Sequence, residues 1–212
     1  MEKLTDIRWY DIVESTNDVA RTLIGELDNL SVVAAGCQTA GRGQGDHKWH
    51  SRPGENLTFS VVLKFRAPGA PQDDGSLAPL AARDSLLITQ VVTLALRRFL
   101  KGHGVESRIK WPNDIYVGDL KICGILIENI LHGPDVASSI VGIGLNLNQT
   151  EFPADIPNPV SLALLTGGKY DPARELEVLQ ALIRECAEMT NTAEGRRYLD
   201  KEFEENVFRL PS

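Results

Sequence analysis

The chain is poor in several things at once. It has three cysteines in 212 residues, and no two of them stand in a CxxC or Cys/His ligand spacing. A structural zinc site or a disulfide framework is therefore not expected, and Cys37 and Cys123, set in apolar runs, are expected to be buried thiols. Reduced thiols fit a cytoplasmic location. No apolar run is long enough to span a bilayer, so no membrane segment is expected. The first residues, MEKLTDIRWYDIVEST, are charged and lack an apolar stretch of signal-peptide kind. Basic residues are outnumbered, 22 Lys and Arg against 29 Asp and Glu, so the bulk charge of −7 argues against a DNA-binding role. Internal repeats and low-complexity tracts are missing, as is any linker dividing the chain.

What is present is a periodic α/β pattern. IRWYDIV is extended. Ser15 or Thr16 can cap a helix whose apolar face carries Thr16, Val19, Ala20, Leu23 and Leu27, with Asp18 placed to complete a capping box. SVVAAGCQT and LTFSVVLKF are strands. Helix character runs from about Pro79 to Leu100, with proline suited to the first turn. SRIKWPNDIYV is a strand interrupted at Pro112, and LKICGILIENIL and SSIVGIGLNLN follow through tight turns, so consecutive hairpins should build a largely antiparallel or mixed sheet. A long helix begins near Asp171-Pro172, with Leu176, Leu179, Ile183, Cys186 and Ala187 on one face.

Four segments carry chemistry. GRGQGDHKW, residues 41 to 49, must be a loop. Its glycines let backbone amides approach an anion, Arg42 supplies a planar cationic fork, and Trp49 can stack on a ring. Neither a Walker loop nor a GxGxxG fingerprint is present. RIKWPNDIYVGDLK brackets a hairpin with Lys110 and Lys121, and charges inside an apolar strand pair are costly unless they face a site. GIGLNLN places Gly142 and Gly144 inside a strand, where another group can approach the backbone, and Asn146 and Asn148 on one side. Glu14-Ser15-Thr16-Asn17 heads the first helix, where polar groups can be bound.

In this order the four segments resemble the catalytic domain of biotin–protein ligases. The family loop is similar to GRGRRGRxW, the KWPND motif stands intact at Lys110 to Asp114, and GIGLN matches Gly142 to Asn146. The resemblance implies an α+β fold: a mixed, largely antiparallel sheet with helices packed on one face, like a class II aminoacyl-tRNA synthetase. Residues 1–205 would be the catalytic domain and 206–212 the start of a missing or truncated C-terminal domain, with no helix-turn-helix segment ahead of it. The implied enzyme is a biotin–[biotin carboxyl-carrier protein] ligase. It would use ATP and Mg2+ to form biotinyl-5′-adenylate, then biotinylate a lysine of a carrier such as that of acetyl-CoA carboxylase; a homodimer is compatible.

By the same resemblance Lys121, Arg42, Lys110 and Asp114 would be catalytic. Ser15, Thr16, Asn17, Gln38, Gly41, Arg42, Lys121, Gly124, Gly142 and Gly144 would hold biotin. Gly43, Gln44, Trp49, Lys110, Asn113 and Asn146 would hold ATP, with Trp49 against the adenine; a metal site is not specified. Gln44, Asp46 and His47 depart from the family's arginine-rich loop, which implies weaker retention of the adenylate. A lipoate–protein ligase and a non-catalytic biotin-binding module are the alternative readings.

Overall fold

The computed structural model describes residues 6–45, 48–71 and 75–209. Eight strands form one sheet: β1 (Ile7–Val13), β2 (Val32–Gln38), β3 (Leu57–Lys64), β4 (Arg108–Lys110), β5 (Asp114–Val117), β6 (Leu120–His132), β7 (Asp135–Leu145) and β8 (Val207–Phe208). Their spatial order is β1-β2-β3-β7-β6-β5-β4-β8. Among the described residues, only the edge pairs β1–β2 and β4–β8 are parallel strand pairs. The remaining helices are α1 (Thr16–Thr22), α2 (Leu86–Gly102), α3 (Leu162–Thr166), α4 (Pro172–Met189) and α5 (Ala193–Asn206). The α+β architecture with a largely antiparallel sheet thus agrees with the expectation from sequence.

Strand alternation decides what each face of the sheet becomes. Leu57, Phe59, Val61 and Leu63 of β3 join Val141, Ile143 and Leu145 of β7 in the main core. That core is closed by α2, buried along nearly its whole length, and by the inward faces of α4 and α5. The intervening residues of the same strands face the other way. Near one end they are apolar: Val33, Val62 and Ile140 pack with Ala20 of α1 in a second, smaller cluster. Near the other end they are Thr58, Ser60, Gly142 and Gly144, too small or too polar to pack against a helix. The three long helices therefore share one face, while the short α1 covers only part of the opposite one, and the uncovered part is a cavity.

Three local expectations change. The helix α1 stops at Thr22, and the chain reaches Leu27 through turns. Its Ser15 cap makes no side-chain bond, and Asp18 pairs with Arg42 instead of completing a capping box. The second helix starts at Leu86, not Pro79, because Leu80 and Ala81 are held extended against the β6–β7 turn (Val136 N–H to Leu80 O, Ala82 N–H to Pro134 O) and Ala82–Asp84 form a separate 3-10 turn. The KWPND segment is a reversal, not an interrupted strand. Lys110 pairs with Asp114 across a three-residue turn containing a cis Trp111–Pro112 bond. Among the described residues, no helix is long and apolar enough to cross a membrane.

Candidate active site

The cavity on the uncovered face has a volume of about 610 Å³. Its floor is the glycine patch of the central strands. Gly124 and Gly144 are register partners on β6 and β7, with Gly142 one step along on the same face. A Cβ on Gly144 would lie 2.1 Å from Trp49 Cε2, and one on Gly124 2.9 Å from Trp49 Cζ3. The missing side chains thus leave a slot filled by the indole. In this structure the Trp49 ring lies on the floor that the resemblance assigns to biotin. The Trp49 Nε1 is buried there without a hydrogen-bond partner.

At one end of the floor sits a polar pocket built by the start of α1. Gln38 Oε1 accepts from Thr16 N at 2.7 Å and from Thr16 Oγ1 at 3.1 Å. Ser60 Oγ donates to Asn17 Oδ1 at 2.6 Å, and Asn17 Nδ2 donates to Glu128 Oε2 at 2.7 Å. Ser15, with its hydroxyl not spent on capping, lines the cavity beside Thr16, Asn17 and Gln38. These bonds tie Thr16, Asn17, Gln38, Ser60 and Glu128 to one another, so the pocket presents an ordered hydrogen-bonding pattern.

The other end is cationic. Lys110, Asp114, Tyr116 and Lys121 share one face of β4, β5 and β6 and all line the cavity. Lys121 Nζ donates to Asp114 Oδ2 at 2.7 Å, and Lys110 Nζ donates to the Tyr116 hydroxyl at 3.3 Å. Lys121 reaches this face through a β-bulge. Ile115 pairs with Cys123 but Tyr116 with Lys121, so Ile122 is an extra residue. Without the bulge, simple alternation would send Lys121 into the core with Cys123; bulges re-aim side chains in this way. The backbone of Lys121 is clamped by the segment after β7, its N–H on Asn158 O and its carbonyl accepting from Val160 N–H.

The loop closes the remaining side. Arg42 and Lys48 form an antiparallel bridge across it. Arg42, Gly43, Gln44 and Lys48 line the cavity, while Asp46 and His47 fall outside the described residues. The Arg42 guanidinium meets Asp18 at 2.6 Å and Glu128 at 3.4 Å.

Two expected site residues are not in the lining. Asn113 is buried with its amide donating to Ile125 O at 2.7 Å, which ties the turn to β6 instead of facing a nucleotide. Gly41 joins the two ends of the loop: its carbonyl accepts from Trp49 N–H, and a Cβ there would meet Trp49 O at 2.6 Å. Asn146 does line the cavity, but its amide donates to Val160 O at 3.0 Å, and Asn148 is bonded to the Tyr170 backbone. Both lie past the end of β7, where they hold the chain that returns over the site. Sequence reading missed Tyr116, although it stands two residues after Asp114 and so on the same strand face. It also missed Glu128, and the wall formed by Phe152, Asp155 and Ile156. That wall belongs to a proline-rich stretch without periodicity, which carries no such signal.

Residues 9–146 match the biotin/lipoate A/B protein ligase family, which is well over half of the chain. The chain belongs to that family. A bifunctional ligase/repressor BirA of Bacillus spizizenii is 34% identical over 170 residues, covering 78% of this chain and 48% of that protein. The biotin–[acetyl-CoA-carboxylase] ligase of Paracoccus denitrificans is 33% identical over 171 residues, 78% of this chain and 66% of that one. The chain thus spans about half the length of the bifunctional relative. Among solved structures, the biotin protein ligase of Aquifex aeolicus in complex with biotin and ATP superposes with a TM-score of 0.75 at 25% identity, covering 96% of this chain and 78% of that one. The family match reaches from β1 to Asn146 and so includes the polar pocket, the loop, the cationic end with Lys110 and Lys121, and the glycine floor.

Proposed function

We propose that this chain activates biotin with ATP as biotinyl-5′-adenylate and transfers biotin to a lysine of a biotin carboxyl carrier protein. The observation that carries the reading is the single cavity joining an ordered polar pocket to a cationic end across a bare glycine floor. A ureido group offers both donors and an acceptor, and Ser15, Thr16, Asn17 and Gln38 match it in kind. A dithiolane ring offers neither, which favours biotin over lipoate at this pocket.

In the first step the biotin carboxylate attacks the α-phosphorus of ATP, the bond to the bridging oxygen breaks, and pyrophosphate leaves. Two anions must approach, so the cations near them lower the barrier. Lys121 would exchange Asp114 for the carboxylate and α-phosphate oxygens. Arg42 would exchange Asp18 and Glu128 for the same oxygens as the loop closes. Lys110 would face the polyphosphate. In the second step the carrier amine attacks the acyl carbon and AMP leaves. The Asp114 carboxylate, released by Lys121, would take the proton lost by the amine. Among the described residues no group of three His, Cys, Asp or Glu side chains is placed to hold a metal. Magnesium would therefore enter bound to the nucleotide, with Asp114 or Asp155 as its protein oxygen neighbours, since this ion commonly takes one or two carboxylates beside substrate phosphates.

Pyrophosphate release measured with ATP plus biotin, and with ATP plus lipoate, tests the reading. Release that needs biotin supports it; release with lipoate alone, or with neither, overturns it.

A further inference from the structure

We propose that Tyr116 contacts the substrate directly, its hydroxyl donating a hydrogen bond to an oxyanion of the bound nucleoside triphosphate. The inference rests on the adenylating reading above. Tyr116 is only 8% exposed, yet it lines the cavity. Its phenolic oxygen takes the Lys110 ammonium at 3.3 Å, and its ring lies under the same ammonium at 5.1 Å from the centroid. An ammonium has donors and no lone pair, so this bond uses the phenol oxygen as acceptor and leaves the hydroxyl hydrogen unspent. Among the described residues Lys110 is its one hydrogen-bond partner, and the open side of the group is the cavity.

Position is fixed from behind. Phe208 of β8 sits edge-on to the Tyr116 ring at 6.0 Å, with the Arg108 guanidinium 4.9 Å from its own centroid. Register pairing of Lys110 with Phe208 holds both sides of the contact on adjacent strands. A donor locked by packing beside a cation is suited to an anion with several oxygens. Lys110 supplies charge without fixed direction, and the phenol supplies a directed bond that the lysine alone cannot. A carboxylate-bearing ring compound would instead be sought at the Lys121 side and the polar pocket.

The test is Tyr116→Phe, which keeps the ring, its place under Lys110 and its edge contact, and removes only the O–H. Pyrophosphate release gives KM for ATP, KM for biotin and kcat. Calorimetry with an ATP analogue bridged by methylene between the α- and β-phosphorus gives binding without turnover. The expected result is a rise of roughly tenfold in the ATP KM and in the analogue Kd, as for loss of a bond to a charged group, with the biotin KM within about twofold. An ATP KM and analogue Kd both unchanged within about twofold would overturn the inference. So would equal losses for ATP and biotin, which is what a structural role for the hydroxyl produces. Wild type that binds the analogue but releases no pyrophosphate would sink the adenylating reading while the calorimetric arm still decides Tyr116. Wild type that binds no analogue would sink both.

Discussion

Alanine at Gly142 should destabilise the protein where alanine at Gly144 does not. A Cβ at 142 would sit 2.4 Å from Asn17 Oδ1 and 3.1 Å from Asn17 Cγ. Ordinary carbon–oxygen contacts begin at about 3.3 Å, so Asn17 must retreat by about 1 Å. It has little room, being 2% exposed and held by Ser60 at 2.6 Å and Glu128 at 2.7 Å. Either the strand shifts or one of those bonds breaks inside a buried network. Both routes cost about 1–3 kcal/mol and describe the same strain, so about 2 kcal/mol is the working figure. For a chain of this size that lowers Tm by roughly 4–8 °C. At 144 the obstacle is the outer end of the Trp49 side chain, whose indole N–H has no hydrogen bond to hold it in place. Gly144→Ala should therefore change stability by less than about 1 kcal/mol while weakening biotin binding, since the new methyl stands on the floor. Thermal and urea unfolding of both variants, with biotin titrations, check the pair. A Gly142→Ala protein as stable as wild type, or a Gly144→Ala protein that loses as much, would refute the reasoning.

Three other outcomes follow from the same geometry. A ring entering above Gly124 and Gly144 must displace the Trp49 indole, so biotin should change tryptophan fluorescence, and Trp49→Phe should abolish most of that change while Trp9 and Trp111 remain. Gln44→Arg should slow release of biotinyl-adenylate by roughly two- to fivefold, the scale of one partly exposed charge pair, measured by trapping released adenylate; equal rates would contradict it. Burial raises the Cys123 thiol far above its ordinary range and pushes the Cys186 thiol up to about 11, whereas Cys37 is half-buried. Native alkylation at pH 8 followed by mass spectrometry should then label Cys37 alone, and all three only after denaturation.

Much of the sheet could be read from residue alternation. In β3 the apolar set at 57, 59, 61 and 63 and the polar pair at 58 and 60 announce the two faces. The glycines of GIGLN signal close approach for a reason the structure makes physical: they clear a floor. Other features depend on contacts between distant segments. The bulge that turns Lys121 toward the cavity is set by pairing with β5, not by the LKICG run itself. Glu128, placed mid-strand in ILIENI, acquires its role only because Asn17, Arg21 and Arg42 converge on it. Asn113 and Asn146 were recognisable as polar groups in an apolar setting, yet their amides are satisfied by backbone carbonyls. A buried asparagine must be paired, and sequence does not tell a ligand from a carbonyl.

The central claim is tested most directly by incubating the chain with ATP, radiolabelled biotin and an apo biotin carboxyl carrier domain, beside a Lys121→Ala control. The account predicts label on the carrier lysine with wild type and a loss of about a hundredfold or more in the variant, the scale for removing one charge stabiliser of an acyl-transfer transition state. No label on the carrier and no pyrophosphate released by wild type, or equal labelling by Lys121→Ala, would contradict it.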